Sequence, residues 1–251
     1  MKGRWAAPWI VIMAVALWPI QAISAEVRVA IAANFTAPMK IIATAFEQDT
    51  GHRANLAFGA TGQFYAQIRS GAPFHVLLAA DDKTPARLAQ EGLGLTQSVF
   101  TYAIGRLVLW SRQAGLVDDQ GEYLKTGRFE KIAMANPRLA PYGAAAMQVL
   151  HSLGLNEAMA PRIVEGSNIA QTFQFVASGN ASVGFVAVSQ VFRDGRLIEG
   201  SGWVIPPVLY SPIRQDAVLL EAGQHNAAAV ALMNYLRSDK ARAIKQSFGY
   251  E

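Results

Sequence analysis

The sequence predicts an α/β fold made of two similar lobes with mostly parallel sheets. Two observations carry this expectation. Short apolar runs alternate with segments of helical periodicity along most of the chain. The series strand, turn, helix, strand, turn, helix, strand also occurs twice, so the halves read as copies of one plan.

In the first half, an apolar strand is expected over residues 27–32. A small polar turn follows, then a helix over 38–48, with Ile41, Ile42, Ala45 and Phe46 at helical spacing. Thr36 is placed to cap that helix, and Pro38 suits its first turn. A strand over 53–58 leads to a helix over 62–69, stopped by Ser70 and Gly71. A short buried strand over 76–80 precedes a helix over 84–90, ended near Gly92, and a long strand over 99–111. The plan then restarts with a strand over 131–135, a helix over 142–152, a strand over 162–165, a helix over 169–178 and a strand over 183–188. Strands over 202–205 and 217–220 and a helix over 226–237 complete the chain. No linker rich in Pro, Gly or Ser divides the halves, so the segments 99–111 and 206–214 are the expected crossings. Two such lobes place a crevice at the carboxyl ends of their strands, where open α/β sheets bind ligands.

The composition narrows the function. The chain is 52% hydrophobic and 16% charged, which describes a packed globule and excludes a disordered chain. Its first residues have the form of an export signal: Lys2 and Arg4, an apolar stretch over 6–20, and Ile23-Ser24-Ala25. Cleavage is expected after Ala25, leaving an exported, soluble chain. The apolar stretch is short for a membrane span and is broken by Pro8 and Pro19. Losing Lys2 and Arg4 lowers the net charge from +4 to +2, too little and too scattered to argue for nucleic acid. The absence of cysteine excludes disulfides, thiolate metal sites and a Cys nucleophile. His52, His75, His151 and His225 lack metal-ligand spacing, so no metal centre and no cofactor is expected. Neither a Gly-x-Ser-x-Gly elbow nor a His-Glu-x-x-His occurs, which leaves a secreted hydrolase as a minor alternative.

Four strand-to-helix turns have the chemistry of anion sites. They are Ala33-Asn34-Phe35-Thr36, Gly59-Ala60-Thr61-Gly62, Pro141-Tyr142-Gly143-Ala144 and Gly166-Ser167-Asn168-Ile169. The first N–H groups of a helix have no acceptor of their own and carry partial positive charge. None of the turns contains Lys, Arg, Asp or Glu. An anion among them would be held by backbone N–H groups, hydroxyls and an amide. Such a set favours a fully ionised anion, because a protonated one brings a donor that meets no acceptor. The same residues also have plainer readings. Asn34 and Thr36 fit simple caps, Gly59 and Gly62 simple turns, Tyr142 a surface tyrosine and Ile169 a core position. The anion reading accounts for all four turns together.

These segments resemble the periplasmic molybdate-binding proteins of ABC importers, the ModA family. The likeness is carried by Ala32-Ala33-Asn34-Phe35-Thr36-Ala37-Pro38 and by Phe58-Gly59-Ala60-Thr61-Gly62 with Tyr65-Ala66-Gln67-Ile68 and Gly71-Ala72-Pro73. Asn136-Pro137 before Tyr142-Gly143, Asn168-Ile169, Val183-Gly184-Phe185-Val186-Ala187 and the ending Phe248-Gly249-Tyr250 extend it over nearly the whole mature chain. The resemblance implies a two-lobed type II periplasmic-binding-protein fold, with residues 26–101 and 213–251 in one lobe and 102–212 in the other. It implies an exported, periplasmic, non-enzymatic monomer that takes molybdate, and tungstate as well, to an ABC permease. It implies oxyanion ligands at Ala33 and Asn34, Ala60 and Thr61, Tyr142 and Ile169, with Ala187 a weaker candidate. Two departures matter. Ala187 stands where some members have a ligand Tyr, and Tyr142 stands where some have a small residue, so Tyr142 is expected to supply the hydroxyl that Ala187 lacks. His75 and Ala79 also depart from the family pattern and are expected to stay off the ligand. Another oxyanion, such as sulfate, is the alternative ligand.

Overall fold

The computed structural model describes residues 24–251. The expected export signal, apart from Ser24 and Ala25, lies outside the described residues. Among the described residues, no helix is long and apolar enough to cross a membrane.

The chain opens with β1 (Glu26–Ala32), a 3-10 turn (Ala33–Phe35) and α1 (Thr36–Thr50). Next come β2 (Arg53–Gly59), α2 (Thr61–Arg69), β3 (Val76–Leu78), α3 (Lys83–Gln90) and β4 (Phe100–Gly105). After Arg106 run β5 (Leu107–Ser111), α4 (Glu122–Thr126), β6 (Ile132–Ala135), α5 (Pro141–Ser152) and α6 (Asn156–Met159). They are followed by β7 (Ile163–Gly166), α7 (Ile169–Ala177), β8 (Val183–Ala187) and α8 (Val188–Val191). A hairpin of β9 (Phe192–Arg193) and β10 (Arg196–Leu197) leads to β11 (Ser201–Val204). Then β12 (Ile213–Leu219), α9 (Ala227–Tyr235) and α10 (Asp239–Ser247) end the fold.

Two five-stranded sheets result, ordered β2-β1-β3-β12-β4 and β11-β5-β8-β6-β7. In each, four strands run one way and one runs against them, β12 in the first and β5 in the second. The sheets are therefore mostly parallel in strand direction, as expected, yet each is mixed through its one reversed strand. The cause is the crossing. The chain leaves the first sheet on β4, enters the second on β5, leaves it on β11 and returns on β12, and each of these strands lies antiparallel to its neighbours. The long strand expected over 99–111 is thus two strands in different sheets, broken at Arg106. Residues 100, 101 and 103–105 pair with β12, so the boundary expected at 101/102 falls inside β4 and sheet membership changes at Arg106.

Both faces of each sheet are covered. In the first sheet, Val29, Ile31 and Phe35 pack with Ile42, Phe46, Leu232 and Phe248, while Leu77 packs with Phe64, Ile68 and Leu88 on the other face. In the second, Leu107, Ile132 and Phe185 pack with Val149 and Leu150, and Val108 and Val186 pack with Val176. Ala32, Ala33 and Ala80, from the first sheet's strand ends, join the core of the second. Their small side chains let the two lobes approach closely.

Thr36 does not cap α1. Its hydroxyl donates to the Ala33 carbonyl at 2.8 Å, because the 3-10 turn inserted before α1 brings that carbonyl within reach. The helices α4, α6 and α8 have four or five residues, too few for a periodic signal, and α10 is mostly polar with Ala241 as its buried anchor.

Phe35 joins the first turn to the core. It is fully buried and meets Tyr102 and Tyr250 edge-on, with ring centroids 4.8 and 5.3 Å away. Phe35→Ala is expected to lower the unfolding free energy by about 3–5 kcal/mol. Urea titration reads this as a lower midpoint at unchanged slope. A loss under about 1 kcal/mol would contradict this packing role.

Candidate oxyanion site

The carboxyl ends of β1 and β2 face those of β6 and β7 across a small cavity. Its lining is Ala32, Ala33, Asn34, Gly59, Ala60, Thr61, Ala80, Ala140, Pro141, Tyr142, Asn168 and Ile169. All four turns singled out in the sequence contribute to this one wall. No Asp, Glu, Lys, Arg or His lines it. Among the described residues, no group of His, Asp or Glu could hold a metal ion.

Local chemistry explains why helices start here. Pro141 opens α5 with no N–H to satisfy, and Gly143 lets the helix sit so close to the Ala135 carbonyl that a Cβ would collide with it. The Asn168 side chain caps α7, its Oδ1 accepting from Ala170 and Gln171 N–H at 3.0 Å each. Gln63 closes the start of α2 by accepting the Ala60 N–H at 3.2 Å. Gly62 N–H donates to Leu139 O at 3.0 Å, across the cleft. What these caps leave over is informative. The N–H groups of Asn34, Thr61, Tyr142 and Ile169 have no acceptor among the described residues, and all four residues line the cavity, whereas the Ala33 N–H, expected to face the anion, continues the β1–β2 ladder to the Gly59 carbonyl.

Two hydroxyls add to these. Thr61 Oγ1 accepts the Ala80 N–H at 2.9 Å, which leaves its own proton free. Tyr142 Oη accepts from Gln215 Nε2 at 3.1 Å, which leaves the phenol proton free as well. Burial, and then the neighbouring Tyr250 and Tyr102, push the Tyr142 pKa well above the usual phenol range. The hydroxyl therefore stays protonated and remains a donor. The cavity presents N–H and O–H donors with no countercharge.

The side chain of Asn34 does not face an anion as expected. Its Nδ2 donates to Gln215 Oε1 at 2.8 Å and to Tyr250 Oη at 2.9 Å. Its carbonyl accepts from Ser189 Oγ at 2.9 Å and Tyr250 Oη at 3.0 Å. The amide thus braces the turn, and the main-chain N–H is what Asn34 offers. Ala60 lines the cavity, but its N–H is taken by Gln63. Ala187 does not line it at all. It ends β8 opposite Leu107, and its N–H goes to Gln190 Oε1 at 2.9 Å. Gln190 in turn donates to Ile169 O at 3.1 Å, so this segment supports the α7 start from behind. His75 and Ala79 lie off the lining, and His75 bonds Arg28 instead.

Sequence reading did not single out Ala80, Gln215, Tyr102 or Ser189. The visible signal for Gln215 was a Gln-Asp pair interrupting an apolar strand. A larger groove adjoins the cavity and shares Ala80, Ala140 and Pro141 with it. Asp81 and Asp82 line that groove along with Lys83, Arg138 and Arg214, and its carboxylates oppose an anion.

Comparison with known proteins agrees with this geometry. The family model for bacterial extracellular solute-binding proteins matches residues 27–251. The molybdate-binding protein ModA of Azotobacter vinelandii is 56% identical over 241 residues, covering 96% of each chain. That of Rhodobacter capsulatus is 48% identical over 232 residues, covering 92% of this chain and 90% of the other. The solved periplasmic molybdate-binding protein of A. vinelandii superposes with a TM-score of 0.87 at 41% identity, over 90% of this chain and 99% of that one. The expected two-lobed α/β binding-protein fold is the one observed. With its family model spanning the described fold from β1 to the last residue, this chain belongs to the bacterial extracellular solute-binding proteins.

Proposed function

We propose that this chain captures molybdate in the interlobe cavity and delivers it to an ABC permease. The observation that carries the reading is the set of four free N–H groups and two free hydroxyls around a cavity without charged residues. Similarity to the molybdate-binding proteins over nearly the whole chain supports molybdate as the anion. Each hydrogen bond to a charged partner contributes about 1.5–3 kcal/mol. Six of them together exceed the roughly 8 kcal/mol that micromolar binding needs and leave a margin toward the cost of ordering ligand and lobes. A phosphate ion carrying a proton would meet donors only, and that proton would go unpaired.

In this reading Asn34, Thr61, Tyr142 and Ile169 bind the oxyanion, and Ala33 and Ala60 shape the wall beside them. Tungstate, with the same charge and tetrahedral form, binds as a second ligand. Binding takes place in the periplasm after the leader is removed, as a monomer and without catalysis. The lobes close by bending at Arg106 and over 206–212, where the chain passes between the sheets. Ligand favours closure because only the closed form contacts the anion from both sides.

Thr61→Ala and Tyr142→Phe are each expected to weaken molybdate binding about tenfold or more by calorimetry. Unchanged affinity in both variants would overturn the site. A thermal-shift panel is expected to rank molybdate and tungstate above sulfate and phosphate, with about 2.7 kcal/mol of added stability at a hundredfold excess over Kd. A sulfate shift as large as that of molybdate would overturn the ligand. Affinity is also expected to stay flat between about pH 6 and pH 9. The only ionisable side chain on the lining is Tyr142, whose raised pKa keeps it protonated throughout. A titration of affinity within that range would show that a charged group takes part.

A further inference from the structure

Gln215 is fully buried on β12, where that strand slips register against β4. It does not line the cavity, yet its amide is held at both ends. Oε1 accepts from Asn34 Nδ2 at 2.8 Å and from Tyr102 Oη at 3.0 Å, the latter also lying 3.0 Å from Ala79 O. Nε2 donates to Tyr142 Oη at 3.1 Å. A phenol oxygen that accepts one bond keeps its single proton for another partner.

We propose that Gln215 is a positioning residue that fixes Tyr142 as a donor to the bound oxyanion, so that the site selects fully ionised anions. This rests on the reading of the cavity as the oxyanion site. An acceptor at position 215 would draw the Tyr142 proton away from the cavity. An oxygen lone pair would then face the ligand, opposing a dianion and matching an anion that carries a proton. The Gln215–Tyr142 bond also joins β12 of the first sheet to α5 of the second. Opening of the lobes breaks it, so the direction of the hydroxyl is set as the cleft closes.

The space for this pair comes from Gly105. A Cβ built there would run into both Tyr142 Oη and Gln215 Nε2. Gly105 is not among the glycines with positive φ, so close approach, and not backbone conformation, is what requires it.

A double-mutant cycle tests the proposal. Molybdate affinity is measured by calorimetry for Gln215→Met, Tyr142→Phe and the pair, with melting of the ligand-free proteins as the check on folding. Gln215→Met alone is expected to weaken binding about tenfold. In the Tyr142→Phe background the same change is expected to cost less than about twofold, because the hydroxyl it positions is gone. Full multiplication of the two losses would overturn the role of Gln215. An unchanged affinity in Tyr142→Phe by itself would instead overturn the oxyanion reading of the cavity. Gln215→Glu keeps the volume but offers Tyr142 an acceptor, and it serves as the second variant if Met at this position does not fold. Its added charge opposes molybdate and phosphate alike, so the ratio of their affinities isolates the hydroxyl. That ratio is expected to fall by about tenfold, and an unchanged ratio would also overturn the proposal.

Discussion

A cavity lined by hydrogen-bond donors with no countercharge is the constraint on which the rest of this structure depends. In a cavity without countercharge, water lost on binding must be replaced by donors that are already in place. Helix starts are an economical source, since their first N–H groups are unpaired and point along the axis. Four helical starts converge here because each follows a strand whose carboxyl end faces the cleft. The residues around them are small: Ala32, Ala33, Gly59, Ala60, Ala80 and Ala140 let backbone, instead of side chain, form the wall.

Behind that wall lies a second layer of buried polar groups. Asn34, Ser189, Gln215, Tyr102 and Tyr250 bond one another, and each is nearly or wholly buried. A buried network of this kind adds rigidity when its members are satisfied and is costly when they are not. It also ties the end of the chain to the first turn, since Tyr250 bonds both Asn34 and Ser189. Burial pushes the Tyr250 pKa up to about 12, so the network holds its protons across the neutral range. Ser189 and Tyr142 belong to the second half of the fold, Asn34 to the turn that follows β1 and Gln215 to the interior of β12. The network therefore fastens the lobes to each other as well as bracing the site.

Much of this was legible in the sequence. The alternation of strands and helices placed most elements, and the four turns that it marked all reached the cavity. The misplaced features share a cause. The break at Arg106 lies within one apolar run, and nothing local says that its two parts pair in different sheets. The direction of the Asn34 amide depends on Gln215 and Tyr250, which are 181 and 216 residues away. The missing hydroxyl at Ala187 is not replaced at its own position, because the end of β8 sits behind α7 and off the cavity.

The sequence by itself determined where helices begin and that their first turns carry no charge, because capping and turn chemistry are local. It also determined that such turns would suit a fully ionised anion. Tertiary structure alone decided which N–H groups stay free, since Gln63, Leu139 and Asn168 take some of the donors at the same helix starts. It decided, too, that Tyr142 and Thr61 offer protons, because Gln215 and the Ala80 N–H occupy the lone pairs from outside the turns. The direction of a hydrogen bond is a property of both partners, and here the second partner comes from a distant strand.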